Sequence, residues 1–383
     1  MIYLDYAAAT PLDERVLSVM QPYFLDKFFN PSSPYAPAIQ VRQEYEEAKD
    51  IIARSIGGRG NELIMTAGAT ESINLAFTAV SGGHAITTEI EHHAVLAAVK
   101  KHGGTLVPVD KNGRVSVEAI RKAVKPETKL ISVALANNEI GTIQPLREIA
   151  SLVREQRQQR SSKGDKTPLY LHVDASQGLG LLDIHVSRLG VDMITLNAGK
   201  IYGPKQVGAL WVASHVEVSP VVVGGGQERG LRSGTENVAG VIGFAEAVRL
   251  ADKKRKGESD RLREIRDAMQ EKIVERFPSV VVSGHAKHRL PNFLHVSFPG
   301  VDAERVLFAL EAKGVMVATG SACAANKGTR SHVLEAIGLA DEVADGSIRI
   351  SLGRHSSMEQ CLEAARLIGD VVELEYQRME PSA

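Results

Sequence analysis

One of the two cysteines of this 383-residue chain, Cys323, lies in the run ATGSACAANKG (318–328), among glycine, alanine and serine. An ionised thiol is a nucleophile, and it can act as one only where substrates reach it. A cysteine kept for packing normally has apolar neighbours, as Cys361 does in QCLEAARL. The small neighbours of Cys323 predict an exposed loop, which fits either a reactive thiol or a chance surface cysteine.

A second set of reactive side chains follows the ends of successive apolar segments. His92 follows HAITTE, Asn138 follows KLISVALA, Asp174 and Gln177 follow LYLHV, and Lys200 follows DMITL. Because ligands of open α/β sheets bind at the carboxyl ends of the strands, we expect these side chains to form one pocket wall. Taken singly, Lys200 also fits a surface lysine and Asp174 a helix N-cap.

A phosphate-binding turn is indicated by Gly68-Ala69-Thr70, which follows ELIMTA. A glycine turn that leads into a helix presents backbone N–H groups, and the threonine hydroxyl adds a donor. The same residues fit a plain N-cap at Thr70. Since neither G-x-G-x-x-G nor G-x-x-x-x-G-K-[ST] occurs here, a dinucleotide or nucleoside triphosphate site is not favoured.

A phosphate seat, a carboxylate and a lysine are what pyridoxal phosphate requires. The lysine forms a Schiff base, and the acid keeps the pyridine nitrogen protonated so that the ring accepts electrons. Lys200 and Asp174 fit these two roles. The residues therefore favour pyridoxal 5'-phosphate as the cofactor.

Strand-like and helix-like segments alternate between residues 60 and 215, and these elements must position the residues named above. Runs rich in β-branched residues predict strands at ELIMTA, HAITTE, TLVPVD, KLISVALA, LYLHVDA, DMITLNA and GALWVAS. Amphipathic segments predict helices at ATESINLAFTAV, HHAVLAAVKKH, SVEAIRKAV and PLREIASLVREQRQQ. The alternation predicts an α/β fold with a mostly parallel sheet covered on both faces. GALWVAS follows the preceding strand too closely for a crossover helix, which favours an antiparallel member.

A change of pattern near residue 250 predicts a second domain. KKRKGESDRLREIRDAMQEKIVERF reads as a long helix, and its interleaved acidic residues favour a solvated face over a nucleic-acid patch. VVVSG, FLHVSF and GSIRISLG predict strands of a smaller α+β unit, with two helical segments between and after them. We expect an N-terminal segment (1–15) associated with the small domain, a large cofactor-binding domain (16–250) and a small C-terminal domain (251–383) that carries the cysteine loop.

Composition narrows the possible functions. A net charge of −1 gives no global electrostatic case for nucleic acid or an acidic membrane surface. Two distant cysteines make no disulfide framework and complete no zinc site, so no metal is predicted. The N-terminus lacks the basic start and apolar core of a signal peptide, and no apolar run reaches a membrane-span length. We therefore expect a cytoplasmic protein in which Cys323 stays a thiol.

The chain resembles the cysteine desulfurases, pyridoxal-phosphate enzymes with an aminotransferase-like type I fold. The motifs that carry the resemblance are YLDYAAATPLDERV, FFNPSSPY, MTAGATESINLA, EHHAVL, NNEIGTIQP, HVDASQGLG, KIYGPK, GGGQERGLRSGTENV, TGSACAA and SIRISLGR. The Gly-Ser-Ala-Cys loop looks like that of the iron–sulfur assembly branch. The resemblance implies conversion of L-cysteine to L-alanine, with sulfur passing to the loop cysteine as a persulfide and then to an acceptor protein. Iron–sulfur clusters, tRNA thiolation and DNA phosphorothioation all stay open as destinations.

Matching positions carry the family's roles onto this chain. The catalytic residues implied are Cys323 as nucleophile, Lys200 as the Schiff-base lysine, and His92, which stacks on the ring and handles protons. The cofactor-binding residues implied are Lys200, Asp174, Gln177, Ala69, Thr70, His92 and Asn197, with Thr235 reaching the phosphate of the other subunit of a homodimer. The substrate-binding residues implied are Asn138, Arg349 and Asn30.

This sequence departs from the family in two places. The segment before the lysine usually has serine and histidine that touch the phosphate, but here it reads Asn197-Ala198-Gly199-Lys200. The chain also ends soon after Tyr376, where some relatives carry a longer tail that docks a scaffold protein. Two alternatives stay open: a related lyase or aminotransferase, such as a selenocysteine lyase, and a non-catalytic partner subunit that retains the fold.

Overall fold

The computed structural model describes residues 1–320 and 330–379, so Cys323 lies outside the described residues. The strands are β1 (Ile2–Tyr3), β2 (Leu63–Thr66), β3 (His84–Thr88), β4 (Gly104–Val107), β5 (Thr128–Ala134), β6 (Tyr170–Asp174), β7 (Met193–Asn197), β8 (Gly208–Val212), β9 (Val281–Ser283), β10 (Phe293–Ser297), β11 (Val315–Met316) and β12 (Ser347–Ser351). The α-helices are α1 (Glu14–Met20), α2 (Pro22–Leu25), α3 (Ala36–Ser55), α4 (Ala69–Phe77), α5 (His93–His102), α6 (Val117–Ala123), α7 (Leu146–Ser162), α8 (Val186–Leu189), α9 (Val238–Arg276), α10 (Ala303–Ala312), α11 (His332–Ala336), α12 (Asp341–Ala344) and α13 (Met358–Met379).

The large sheet confirms the predicted α/β architecture. Its seven strands, counted within the described residues, lie in the order β2-β8-β7-β6-β5-β3-β4. Strand β8 pairs antiparallel with both of its neighbours, while β7, β6, β5, β3 and β4 pair in parallel. The antiparallel placement predicted for GALWVAS is therefore confirmed.

Helices cover both faces of this sheet because its central strands are apolar on both sides. In β5, Ile131 and Val133 pack in a core that also contains residues of α3, α7 and α9. Leu130 points the other way, into a core with residues of α4 and α5. Alternate residues of a strand face opposite sides, so one short run of apolar residues serves both cores.

The C-terminal part forms a smaller unit around a separate core. Its three-stranded sheet, within the described residues, has the antiparallel order β12-β10-β9. The N-terminal strand β1 pairs in parallel with β11, and Leu4 belongs to the same core as Leu294 and Ile348. The start of the chain thus packs with its C-terminal part.

Helix α9 links the two parts and runs through the predicted boundary at residue 250. It is one continuous helix of 39 residues. Its residues up to Leu250 join the core of the large sheet, and those from Leu262 onward join the core of the smaller unit. The chain therefore changes cores within a helix rather than in a linker, and the proposed domain limits stay a prediction.

None of the helices in residues 1–320 and 330–379 combines the length and apolar composition that crossing a membrane requires.

Candidate active site

A cleft of about 790 Å³ opens at the carboxyl ends of the large sheet's strands, beside β12 of the smaller unit. The predicted site residues that line it are Ala69, Thr70, His92, Asn138, Asp174, Gln177, Asn197, Lys200 and Arg349. These residues are distant in sequence and come from different strands. These predicted residues therefore lie together in one cleft, as expected for a ligand site at the carboxyl ends of the strands of an open α/β sheet.

Lys200 enters the cleft from a single turn of 3₁₀-helix after β7. Asn197 starts this turn, and its Oδ1 accepts a hydrogen bond from the Gly199 N–H at 3.0 Å. The Lys200 Nζ donates to the backbone oxygens of Ala7 and Ala8, at 2.7 Å each. The backbone of Ala7 and Ala8, the N-terminal wall of the cleft, therefore accepts hydrogen bonds from the lysine amine.

Asp174 ends β6 and is 9% exposed. Its Oδ1 accepts hydrogen bonds from the backbone N–H and the hydroxyl of Ser176, at 3.0 and 2.6 Å. These two bonds fix the orientation of the carboxylate. Next to it, the Gln177 Nε2 donates to the Ala7 oxygen at 3.1 Å, so the same N-terminal wall also holds the glutamine amide.

His92 caps the N-terminus of α5 and faces the cleft. Its Nδ1 accepts from the Ala94 N–H at 3.1 Å, so the neutral ring carries its proton on Nε2. Burial in the cleft lowers the pKa of His92, and the charge of Lys200 lowers it further, while Asp174 acts in the opposite direction. The ring is therefore neutral at neutral pH and can donate a hydrogen bond or a proton from Nε2.

The residues predicted to bind phosphate lie at the N-terminus of α4. Its N-cap, Gly68, has φ 134°, a conformation that glycine adopts without strain, and no side chain among the described residues caps the helix. Gly208 of β8 lies so close that a Cβ there would be 2.7 Å from the Gly68 Cα. The N–H groups of the first turn, at Ala69 and Thr70, thus lie at a cleft edge that keeps room for an anion.

Arg349 reaches the cleft from β12 and is 2% exposed. Its Nη2 forms an ion pair with the Asp5 Oδ1 at 2.6 Å, and its Nη1 donates to the Asn138 oxygen at 3.0 Å. The Asn137 side chain holds the turn that carries Asn138, since its Oδ1 accepts from the N–H groups of Glu139 and Ile140. A guanidinium fixed in this way suits the binding of a substrate carboxylate.

Two predicted residues of the described ranges do not line the cleft, and a third lies outside those ranges. Asn30 is exposed, and its Oδ1 accepts from the Ser32 N–H within its own loop. Thr235 is also exposed, although the nearby Arg232 pairs with Glu71 of α4 at 3.0 Å. Cys323 lies outside the described residues. The roles of all three stay predictions.

Glu139 and His332 are among the cleft residues that were not assigned a role from the sequence. Glu139 follows Asn138 in the NNEIG motif, and His332 begins α11. The His332 Nε2 lies 3.0 Å from the Glu91 oxygen, next to His92. Glu139 stands at a strand end, where functional residues were expected, but nothing in the sequence separated it from a surface carboxylate.

Cys361 is a packing residue of the smaller unit. It is 0% exposed and belongs to the core formed by β10, β12 and α13. Burial raises the pKa of its thiol to about 11, so it stays a thiol at neutral pH. These properties agree with the interpretation of its apolar neighbours in the sequence.

The fold and the cleft are those of a known class. The family model described as "Aminotransferase class-V" matches residues 2–363, and the chain belongs to this family. Within the family it is a member of the cysteine desulfurases: it is 41% identical to "Cysteine desulfurase IscS" of Dictyoglomus turgidum, over 94% of this chain and 91% of that protein.

Solved structures agree with this placement. A structure titled "NIFS-LIKE PROTEIN" has a TM-score of 0.87 at 32% identity, and the match covers 97% of this chain and 99% of that chain. Another, titled "SspA in complex with cysteine", has a TM-score of 0.79 at 33% identity and covers 93% of this chain and 100% of that one. The aminotransferase-like fold expected from the motifs is thus confirmed.

Proposed function

We propose that this chain converts L-cysteine to L-alanine and takes the sulfur onto Cys323 as a persulfide. The observation that carries the proposal is how the chain on either side of Cys323 is attached. Ala318 exchanges backbone hydrogen bonds with Arg349, at 3.2 and 2.7 Å, and the Ser331 hydroxyl donates to the Glu139 Oε2 at 2.5 Å. Cys323 follows Ala318 by five residues in the sequence, and five residues of extended chain span at most about 18 Å.

Pyridoxal 5'-phosphate is the proposed cofactor, and the residues present fit it. The uncapped start of α4, with Ala69 and Thr70, offers donors to the phosphate, while Asp174 offers a fixed carboxylate to the ring nitrogen. Lys200 is the amine that would bind it, with Gln177 and Asn197 alongside. When bound, the cofactor supplies an electron sink for the bonds at the amino-acid Cα.

The positions of the cleft residues indicate roles in substrate binding and in proton transfer. Arg349, with Asn138 beside it, orients the substrate carboxylate. The Lys200 Nζ, held at the N-terminal wall, is placed to take the proton from the substrate Cα. His92 carries its proton on Nε2, which suits it to deliver the proton that alanine gains where cysteine loses sulfur.

The sulfur step balances without an added oxidant. The Cys323 thiolate attacks the substrate sulfur, a sulfur–sulfur bond forms, and the carbon–sulfur bond breaks. The electron pair of the broken bond stays on the substrate carbon, which a proton then converts to a methyl group. The products are alanine and a persulfide on Cys323, which an acceptor protein then discharges.

A homodimer in the cytoplasm is the proposed state of the protein. Thr235 is exposed on a segment that Arg232 ties to Glu71 at the start of α4, where the phosphate seat lies. This placement supports the role of Thr235 at the phosphate of a neighbouring subunit. A reducing cytoplasm would keep Cys323 as a thiol that can take up sulfur, and the acceptor protein would then receive the sulfur from it.

Mass spectrometry of the protein after incubation with L-cysteine tests the proposed function. We expect the mass of one sulfur atom on the peptide that contains Cys323, together with free alanine, and no added sulfur on the peptide that contains Cys361. Treatment with a reductant should remove the added mass as sulfide. Alanine without any persulfide on Cys323 would contradict the proposal.

The Gly199→His variant is expected to bind the cofactor about tenfold or more tightly, because one added hydrogen bond to a charged group stabilises by about 1.5–3 kcal/mol. The position can accept a side chain: a Cβ there would meet Asn197 Oδ1 at 3.4 Å and nothing nearer. The dissociation constant is measured by titrating cofactor-free protein and recording absorbance. Gly199→Ala is the control, which adds a Cβ without a donor. Equal affinities for the histidine and alanine variants would refute the expectation.

A further inference from the structure

Glu139 is a buried carboxyl group of the cleft to which the proposed mechanism gives no role. It is 0% exposed, and its Oε2 accepts from the Ser331 hydroxyl at 2.5 Å. Gly320 lies against the same oxygen, since a Cβ there would be 3.4 Å from it. The other oxygen, Oε1, is buried and has no hydrogen-bond partner within residues 1–320 and 330–379. An ionised carboxylate with a buried unpartnered oxygen would be strongly destabilised.

Glu139 and Asp5 both interact with the positive charge of Arg349. Arg349 is attractive to it, but this guanidinium already forms an ion pair with Asp5 at 2.6 Å. His332 is the other titratable group that faces it, and the Ser331 hydroxyl faces it without a charge. Burial raises the pKa of Glu139, whereas Ser331, His332 and Arg349 act in the opposite direction. A neutral Glu139 leaves one cation and one anion at this end of the cleft.

We propose that Glu139 determines the specificity of the cleft for carboxylate ligands: as a neutral acid it leaves Arg349 available to them, and its ionisation excludes them. The proposal rests on the proposed function, in which Arg349 binds the carboxylate of L-cysteine. A bound amino acid together with Asp5 places two carboxylates around one guanidinium. An ionised Glu139 would be a third negative charge acting on this guanidinium, and like charges oppose each other.

The test compares binding of L-alanine, the product, to wild-type holoenzyme and to Glu139→Gln holoenzyme by calorimetry, from about pH 6 to about pH 9.5. The ratio of the wild-type dissociation constant to that of the variant removes the ligand's own titration. We expect a ratio near one while the wild-type residue is neutral and a rise of about tenfold or more as increasing pH ionises it. Glutamine stays neutral throughout.

L-Alaninamide, which lacks the carboxylate, is the matched ligand. Its ratio should stay constant with pH because it brings no negative charge to Arg349. A constant ratio for L-alanine, or an equal rise for both ligands, would overturn the proposal. A merely structural role of Glu139 would weaken both ligands alike at every pH, which also counts against it.

A second variant keeps the test available if Glu139→Gln does not fold. Ser331→Ala removes the hydrogen bond that favours ionised Glu139, so the alkaline loss of alanine affinity should move to higher pH. This change also removes the N-cap of α11, at a cost of about 1 kcal/mol, which folding should tolerate. An unchanged profile would overturn the proposal.

The outcomes separate this proposal from the proposed function, since binding of L-alanine requires no turnover. The expected pH profile in a protein that makes no alanine from cysteine would support Glu139's role and overturn only the desulfurase activity. Turnover of cysteine with a constant ratio would do the reverse. No binding of L-alanine at any pH would overturn the carboxylate site and, with it, this proposal.

Discussion

Replacing Cys323 with alanine is expected to lower alanine formation from L-cysteine by roughly 10³–10⁶-fold, the range found when a covalent nucleophile is removed. In the proposed reaction sulfur leaves the substrate by transfer to a thiolate, and Cys361 cannot substitute for Cys323. That second thiol is 0% exposed, and burial raises its pKa to about 11. The measurement is the initial rate of alanine release, with sulfide followed in parallel under a reductant.

Cys361→Ala is the matched control for this experiment. It removes the other cysteine of the chain from a packed core, so it should cost about 1 kcal/mol of stability while the rate stays near that of the wild type. Cofactor absorbance should be equal in both variants, because neither cysteine is among the residues assigned to the cofactor. A Cys323→Ala protein that still makes alanine would favour the lyase or aminotransferase alternative, which has no use for this thiol.

The parts of the site that the sequence predicted are those that follow apolar strands. Asp174 and Lys200 stand at the ends of β6 and β7, and His92 follows β3. Strands with apolar residues on both faces are recognisable locally, and the edge to which their carboxyl ends point follows from the parallel sheet. This rule needs no knowledge of distant contacts, which is why it placed these residues in one cleft.

The parts that the sequence did not predict depend on contacts between distant segments. The Asp5 carboxylate that holds Arg349 is separated from it by 344 positions, and the Ala7 oxygen that accepts from Lys200 by 193. Local patterns carry no information on such pairings. Helix α9 was divided at residue 250 for a related reason, because its composition changes where it leaves one core for the other, although the helix itself continues.

Glu139 is another residue whose role cannot be predicted from local sequence patterns. In sequence it is one carboxylate beside two asparagines, and its burial becomes evident only when α11 and β12 pack over it. A buried carboxyl group with an unpartnered oxygen is a property of the assembled fold. The role proposed for it therefore depends on contacts that exist only in the folded chain.

The Lys200→Ala variant is expected to lose the absorption band of a bound Schiff base at about 400–430 nm and to lose alanine formation by roughly 10³-fold or more. The reason is positional. The Lys200 Nζ lies 2.7 Å from both the Ala7 and the Ala8 oxygens, at the end of β7 and in the same cleft as Asp174. Lys205 also lines the cleft, but its Nζ donates to the Thr10 oxygen at 3.4 Å and not to those of Ala7 and Ala8.

Lys200→Arg separates the charge of this residue from its amine chemistry. The guanidinium can donate to the same two oxygens but forms no Schiff base, so the band and the activity should vanish while thermal stability stays closer to that of the wild type than it does for Lys200→Ala. Activity retained by the arginine variant would show that the amine is not the cofactor's attachment point. A wild-type protein that shows no band with added cofactor would instead support the non-catalytic subunit. In that case the donors at Ala69, Thr70 and Asn197 would not suffice to bind the cofactor phosphate without the histidine that Gly199 replaces.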